Sequence, residues 1–153
     1  MNKYFPALII LLLTIIFILS INTFSTSVYV KTSYIGGTYG RGVFSNKFYY
    51  PGEIIEVAPC ISEIPPEEYE TQSIMRDYVF TSREDNYKKS HYCYGFASIY
   101  NHSDNPNAEW SIRGSNNIIK AIKLIKPGDE ITHSYGENYW KSREGRMKKK
   151  DYE

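Results

Sequence analysis

The sequence predicts a mainly β fold, and three observations carry that reading. Short runs of β-branched and aromatic residues recur along the chain, separated at brief intervals by turn-forming residues. The pair Pro-Gly stands at 51–52 and again at 127–128, each just before a strand-like run. Outside the first 26 residues no long stretch has a helical apolar period, so small curled sheets are expected and a doubly wound α/β fold is not.

The elements follow in order. From Pro6 to Ile21 the chain is apolar except at Thr14 and Ser20; with Tyr4, Phe5, Thr23 and Phe24 it reaches the ~20 residues a membrane span needs. Lys3 precedes it and no small-x-small cleavage site follows, so residues 1–26 read as an uncleaved membrane anchor ahead of the alternative, a cleaved signal segment. No amphipathic stripe favours a buried core helix. Residues 27–140 then suffice for one compact domain, and 141–153 form a basic tail. Ser27–Lys31 reads as a strand, 36–42 as a glycine-rich stretch, and Val43-Phe44 as the start of another strand. After the Pro51-Gly52 turn, Glu53–Pro59 is strand-like, Pro65–Glu70 suits a short helix with proline at its start, and Asp77–Thr81 is again strand-like. Ala108–Arg113 and Ile118–Ile122 form a hairpin across Gly114-Ser115-Asn116-Asn117, and Glu130–Ser134 closes the domain. The Asp104–Asn107 and Gly136–Asn138 runs read as loops.

Composition excludes several functions. The net charge of +1 names no partner. Glu63, Glu67, Glu68 and Glu70 make an acidic insert. Lys141, Arg143, Arg146 and Lys148–Lys150 read as a solvated basic tail, with no direct nucleic-acid site evident. Cys60 and Cys93 read as two isolated thiols, neither a disulfide framework nor a zinc cluster, which fits a reducing, cytosol-like compartment. His91, His102 and His133 lack metal-ligand spacing, so no metal is expected. His102, Ser103 and Asp104 are consecutive, so their side chains diverge and cannot form a hydrolytic triad. Gly37-Thr38-Tyr39-Gly40-Arg41-Gly42 lacks the Lys-Ser/Thr of a phosphate loop and no long helix follows it.

Three blocks remain: Gly40-Arg41-Gly42-Val43-Phe44, then Asn101-His102-Ser103-Asp104-Asn105-Pro106-Asn107, then Gly128-Asp129-Glu130-Ile131-Thr132-His133-Ser134-Tyr135-Gly136. In this order they resemble the SET-domain protein lysine methyltransferases, from about Val28 to Trp140, most closely the short stand-alone type of large DNA viruses and some bacteria. The resemblance implies a fold of small sheets whose last strand threads beneath a neighbouring loop, a knot-like crossing outside the usual connection rules. It implies S-adenosyl-L-methionine as cofactor, with Gly40, Arg41, Gly42, Asn101, His102, Tyr135 and Trp140 around it. Tyr135 takes the catalytic orienting role, and Tyr78, Phe96 and Tyr139 wall the substrate-lysine channel. A protein lysine is the implied substrate, histone tails being the first class to consider because the acidic insert suits a basic peptide. A membrane-proximal protein is the competitor, and a non-catalytic, membrane-tethered peptide-binding module the rival function.

Departures from the family pattern matter. Asp104 stands where many members have cysteine, and Phe96 where arginine is common. No zinc module follows the domain to close the lysine channel, so Tyr139, Trp140 and the tail, or a second subunit in a homodimer, must do so. Asn101-His102-Ser103 also matches a glycosylation acceptor. A glycan there would block the cofactor pocket, and the cofactor is a cytosolic metabolite. With the Lys3, Lys31 and Arg41 balance, this favours a domain facing the cytosol.

Overall fold

A computed structural model describes residues 9–16, 26–35, 40–64, 77–81 and 90–143. Nine strands are seen there: β1 Val28–Thr32, β2 Arg41–Ser45, β3 Ile54–Ile64, β4 Val79–Thr81, β5 Ser90–Cys93, β6 Asn101–His102, β7 Ala108–Arg113, β8 Asn116–Ala121 and β9 Glu130–His133. They form a four-stranded sheet in the order β1-β2-β9-β6 and a five-stranded sheet in the order β4-β5-β3-β8-β7. The fold is mainly β with curled sheets, as the sequence predicts.

Local chemistry explains the elements. Gly52 and Gly128 take φ of 95° and 89°, which a residue without Cβ reaches at no steric cost. Each follows a proline in a turn closed by an i to i+3 bond: Glu53 N–H donates to the Tyr50 carbonyl and Asp129 N–H to that of Lys126, both at 3.0 Å. In β8 the alternate residues Asn117, Ile119 and Ala121 are buried, the period-two pattern of a strand with one face inward. Strand β3 is long enough to pair with β8 along its first half and β5 along its second. Register shifts at Ile54/Glu56 and Ile61/Ile64 bend it. The first shift also explains why Ile55 and Ala58, three apart, are both buried.

Two apolar clusters result. One gathers Val43, Tyr49, Ile119, Ile125 and Ile131 with their neighbours between the sheets. The other gathers Ala58, Cys60, Phe80, Cys93, Ala97 and Ile112 on the five-stranded sheet.

Several expectations are corrected. Cys60 and Cys93 are not isolated thiols: they stand opposite each other on β3 and β5 and are joined by a disulfide. The redox argument for a reducing compartment therefore falls. Asp77 and Tyr78 belong to a short 3-10 turn ahead of β4. The expected four-residue hairpin loop is shorter, since Arg113 and Asn116 already pair and only Gly114-Ser115 turn. Glu137–Lys141, read as a loop at its start, is a helix, α2, with Gly136 as N-cap. The apolar N-terminal segment is helical over residues 9–16 (α1), and no helix among the described residues is long and apolar enough to cross a membrane. The rest of that segment, the helix expected at Pro65–Glu70, the acidic side chains from Glu63 on and the tail beyond Arg143 lie outside the described residues.

Candidate functional site

The site is built where β9 slots between β2 and β6. Asn101 pairs with Thr132 and His102 with His133 in a short parallel ladder, while β2 runs antiparallel on the other side of β9. This puts all three sequence blocks on adjacent strands.

Glu130 is the hub of the first part. Its Oε2 accepts from Ser33 Oγ at 2.8 Å and its Oε1 from Asn101 Nδ2 at 2.7 Å. A Cβ on Gly42 would collide with this carboxylate, which gives the glycine a steric reason. Asn101 Nδ2 spends its second proton on the Arg41 carbonyl at 2.9 Å, leaving Oδ1 as the acceptor. A glycan on that nitrogen is incompatible with this folded arrangement. Asn107 binds β9 at two points, donating to the Glu130 carbonyl and accepting from Thr132 N–H. Sequence reasoning missed Glu130 and Asn107 as site residues; the signal was their place inside the two blocks.

The second part centres on Tyr135. Its backbone N–H donates to His102 Nδ1 at 3.1 Å, so that nitrogen carries no proton and Nε2–H is the one facing Asp104 Oδ1 at 3.2 Å. Its hydroxyl donates to the Tyr100 carbonyl at 2.9 Å. Rings surround it: Tyr139 at 4.7 Å edge-on, Trp140 stacked at 5.9 Å and His102 at 5.3 Å. His133 is 3% exposed; burial, reinforced by His102 and opposed by the Ser134 carbonyl, lowers its pKa to about 4. Its Nδ1 donates to that carbonyl at 3.1 Å, which also accepts from Trp110 Nε1 at 3.2 Å. Its Nε2 is unpartnered among the described residues.

Behind this, Glu56 Oε1 accepts from Phe96 N–H at 2.8 Å and fixes the loop entering β6. Burial raises the Glu56 pKa against that bond. Burial, and then the charge of Glu56, pushes the Tyr100 phenol far up, so it stays protonated.

These elements enclose a cleft of about 1110 Å³. Of the residues singled out in sequence, Gly40, Arg41, Asn101, Tyr135, Tyr78 and Tyr139 line it. Gly42, His102 and Trp140 stand behind the lining: Gly42 against Glu130, His102 and Trp140 against each other with rings 5.0 Å apart. Phe96 packs against the first apolar cluster and does not line the cleft. Asp77, Phe80, Trp110, His133 and Arg143, none of them expected there, complete the walls. Arg143 and the first residues of α2 line one side.

Comparison with known proteins agrees with this construction. The profile of the SET domain matches residues 40–136. A candidate histone methyltransferase of Plasmodium falciparum, known from its crystal structure, is 32% identical with a TM-score of 0.60, over 76% of this chain and 98% of that one. A chain of a humanized mutant of the Chaetomium thermophilum Polycomb Repressive Complex 2, solved with an inhibitor, is 22% identical over 74% of this chain and 15% of its own, also with a TM-score of 0.60, a likeness of fold. No curated protein sequence matches. With three motif blocks assembled on adjacent strands, a matching profile over most of the domain and a similar solved structure, the chain belongs to the SET-domain family.

Proposed function

We propose that this protein transfers a methyl group from S-adenosylmethionine to the side-chain amine of a protein lysine, with histone tails as the first substrate class. One observation carries the reading: the Asn101 strand and the segment that leaves β9 through Tyr135 meet at one aromatic-walled cleft, with Tyr135 held at both its backbone and its hydroxyl. We read the parallel β6–β9 pairing as part of the family's knot-like crossing.

The residues present fit the amino-acid end of such a cofactor. With both Nδ2 protons committed, Asn101 offers only an acceptor, Oδ1, suited to an ammonium. Arg41, at the same wall, supplies a cation suited to a carboxylate. When bound, S-adenosylmethionine supplies a methyl group on a sulfonium, which an amine lone pair can take while sulfur keeps the bonding electrons. A lysine amine, with an ordinary pKa of about 10.4, must first lose its proton to water. Tyr78, Phe80, Trp110 and Tyr139 make a wall that disfavours the ammonium by desolvation. Because the Tyr135 proton is directed at the Tyr100 carbonyl, its oxygen serves as an acceptor, the role that would orient the amine.

Titration calorimetry with S-adenosylmethionine, followed by transfer of labelled methyl to a mixed histone pool, tests the proposal. Tyr135→Phe should lose transfer by about 100-fold or more while keeping cofactor affinity. A fully active variant would refute the assigned role, and binding without transfer by the native chain would favour a peptide-binding module.

We also propose that residues 1–26 tether the domain to a membrane with the cleft on the cytosolic side. The glycan-incompatible Asn101 supports this; the disulfide, a bond typical of oxidising compartments, pulls the other way. Protease protection in membrane vesicles decides it: an inaccessible domain refutes the cytosolic orientation.

A further inference from the structure

Helix α2 forms one side of the cleft, yet it has five residues and none of them is buried. A helix that short does not persist unaided. None of its residues belongs to either apolar cluster, and its packing is the edge and stacking contact of Tyr139 and Trp140 with the Tyr135 and His102 rings. Just past it, Arg143 is 5% exposed. Its Nε donates to Asp77 Oδ1 at 2.8 Å, and Nη1 donates to the Tyr139 carbonyl at 3.2 Å and to Ser142 Oγ at 2.8 Å. The guanidinium carbon lies 3.7 Å from the centre of the Tyr139 ring. Asp77, 17% exposed, comes from the turn leading into β4 of the five-stranded sheet, whereas α2 follows β9 of the four-stranded sheet. One side chain therefore ties the last turn of α2 together and fastens it to the other sheet.

We propose that the Asp77–Arg143 pair is a clasp that, together with the ring contacts of Tyr139 and Trp140, positions α2, so that breaking the pair shifts the Tyr139 wall beside Tyr135 toward an open form. The choice of an ion pair has a physical logic. A buried pair adds little net stability over apolar packing, but removing one partner strands a desolvated charge, which makes the contact directional and switch-like. Arg adds what Lys cannot: a planar fork that bonds the helix end and Asp77 at once and stacks on the tyrosine. A wall held this way can open locally while the two clusters keep the sheets together.

The importance of closure for the reaction rests on the methyl-transfer reading; the clasp itself does not. Hydrogen exchange of the Ser142 and Arg143 amides, bonded to Asn138 and Trp140 carbonyls, reports α2 directly. Arg143→Ala and Asp77→Ala are each expected to lose protection there with the urea midpoint little changed. If the closed form falls to about a tenth of molecules, apparent S-adenosylmethionine affinity falls about tenfold. The reversed pair, Asp77→Arg with Arg143→Asp, should recover part of both. Unchanged amide protection in the single variants overturns the clasp. So does a urea midpoint that collapses with it, or a failure to fold, because the pair would then hold the domain and not the wall. If the native chain binds no S-adenosylmethionine, the methyl-transfer reading fails while the exchange measurement still decides the clasp.

Discussion

Acidification should destabilise this domain through one buried imidazole. The pKa of His133 falls from its ordinary 6.5 to about 4 because the ring is enclosed, and His102 adds to the effect against the Ser134 carbonyl. Tyr100, Tyr135, Trp110 and Phe80 supply the remaining rings around it. In the unfolded chain His133 takes a proton near pH 6.5, whereas the folded domain resists it until about pH 4. The unfolded state therefore binds more protons in that window, and stability drops as pH falls through it. At about 1.4 kcal/mol per unit of pKa, the drop amounts to about 3 kcal/mol, all of it present above the upper end. Glu56 acts with the opposite sign: its raised pKa gives a contribution lost as pH rises through the folded value. The perturbation that isolates His133 is therefore His133→Phe, compared with the native chain by urea unfolding at closely spaced pH values. Loss of the Nδ1 bond to Ser134 gives an offset independent of pH, so the informative quantity is how the difference between the curves changes. That difference should change by about 3 kcal/mol between neutral pH and pH of about 4. Parallel curves would refute the reasoning, as would a ring that titrates near 6.5 by NMR in the folded protein.

Three further perturbations probe other parts of the argument. Replacing Cys60 and Cys93 together by serine removes a link across 33 residues, which on loop-closure entropy costs about 3–4 kcal/mol; a urea midpoint unaffected by either replacement or reduction would mean the thiols are not joined. Gly42→Ala drives a Cβ into the Glu130 carboxylate, so Asn101 and Ser33 lose their shared anchor, and calorimetry should register weaker S-adenosylmethionine binding; native affinity would show that the carboxylate moves aside freely. Asn107→Ala removes two bonds to β9 and should cost about 2 kcal/mol, with a loss below a quarter of that arguing that the strand is held by its neighbours alone.

The fold was legible where local chemistry decides it. The β7–β8 hairpin and the two Pro-Gly corners are set by alternation and by turn residues that need no distant partner. Strands β5 and β6 were not legible, since four and two residues carry no period of their own and exist only because β3 and β9 lie alongside. The disulfide has the same origin: Cys60 and Cys93 meet through the β3–β5 register, which no spacing between them encodes. Helix α2 escaped notice for a related reason, since Gly136 and Asn138 read as turn residues and tertiary contacts at Arg143 outweigh that preference.

The candidate site divides along the same line. Asn101 and Tyr135 could be singled out because their side chains belong to blocks whose residue types stand out in the sequence. What makes those two residues a site is the register that pairs Asn101 with Thr132 and hands the Tyr135 amide to His102. Glu130 illustrates the cost of not knowing that register. Read alone it is an acidic residue after a turn, the commonest place for one; read across three strands it is the carboxylate that Ser33, Asn101 and the missing Cβ of Gly42 all accommodate. Arg143 likewise reads in sequence as part of a solvated basic tail, although it is nearly buried. Charge counts along a sequence cannot separate a solvated cation from one that spans two sheets, because the difference lies in a carboxylate 66 residues away. The substitutions that test the site most sharply are for that reason at the non-local partners, Gly42, Asp77 and Asn107, whose side chains, or lack of one, do no chemistry themselves.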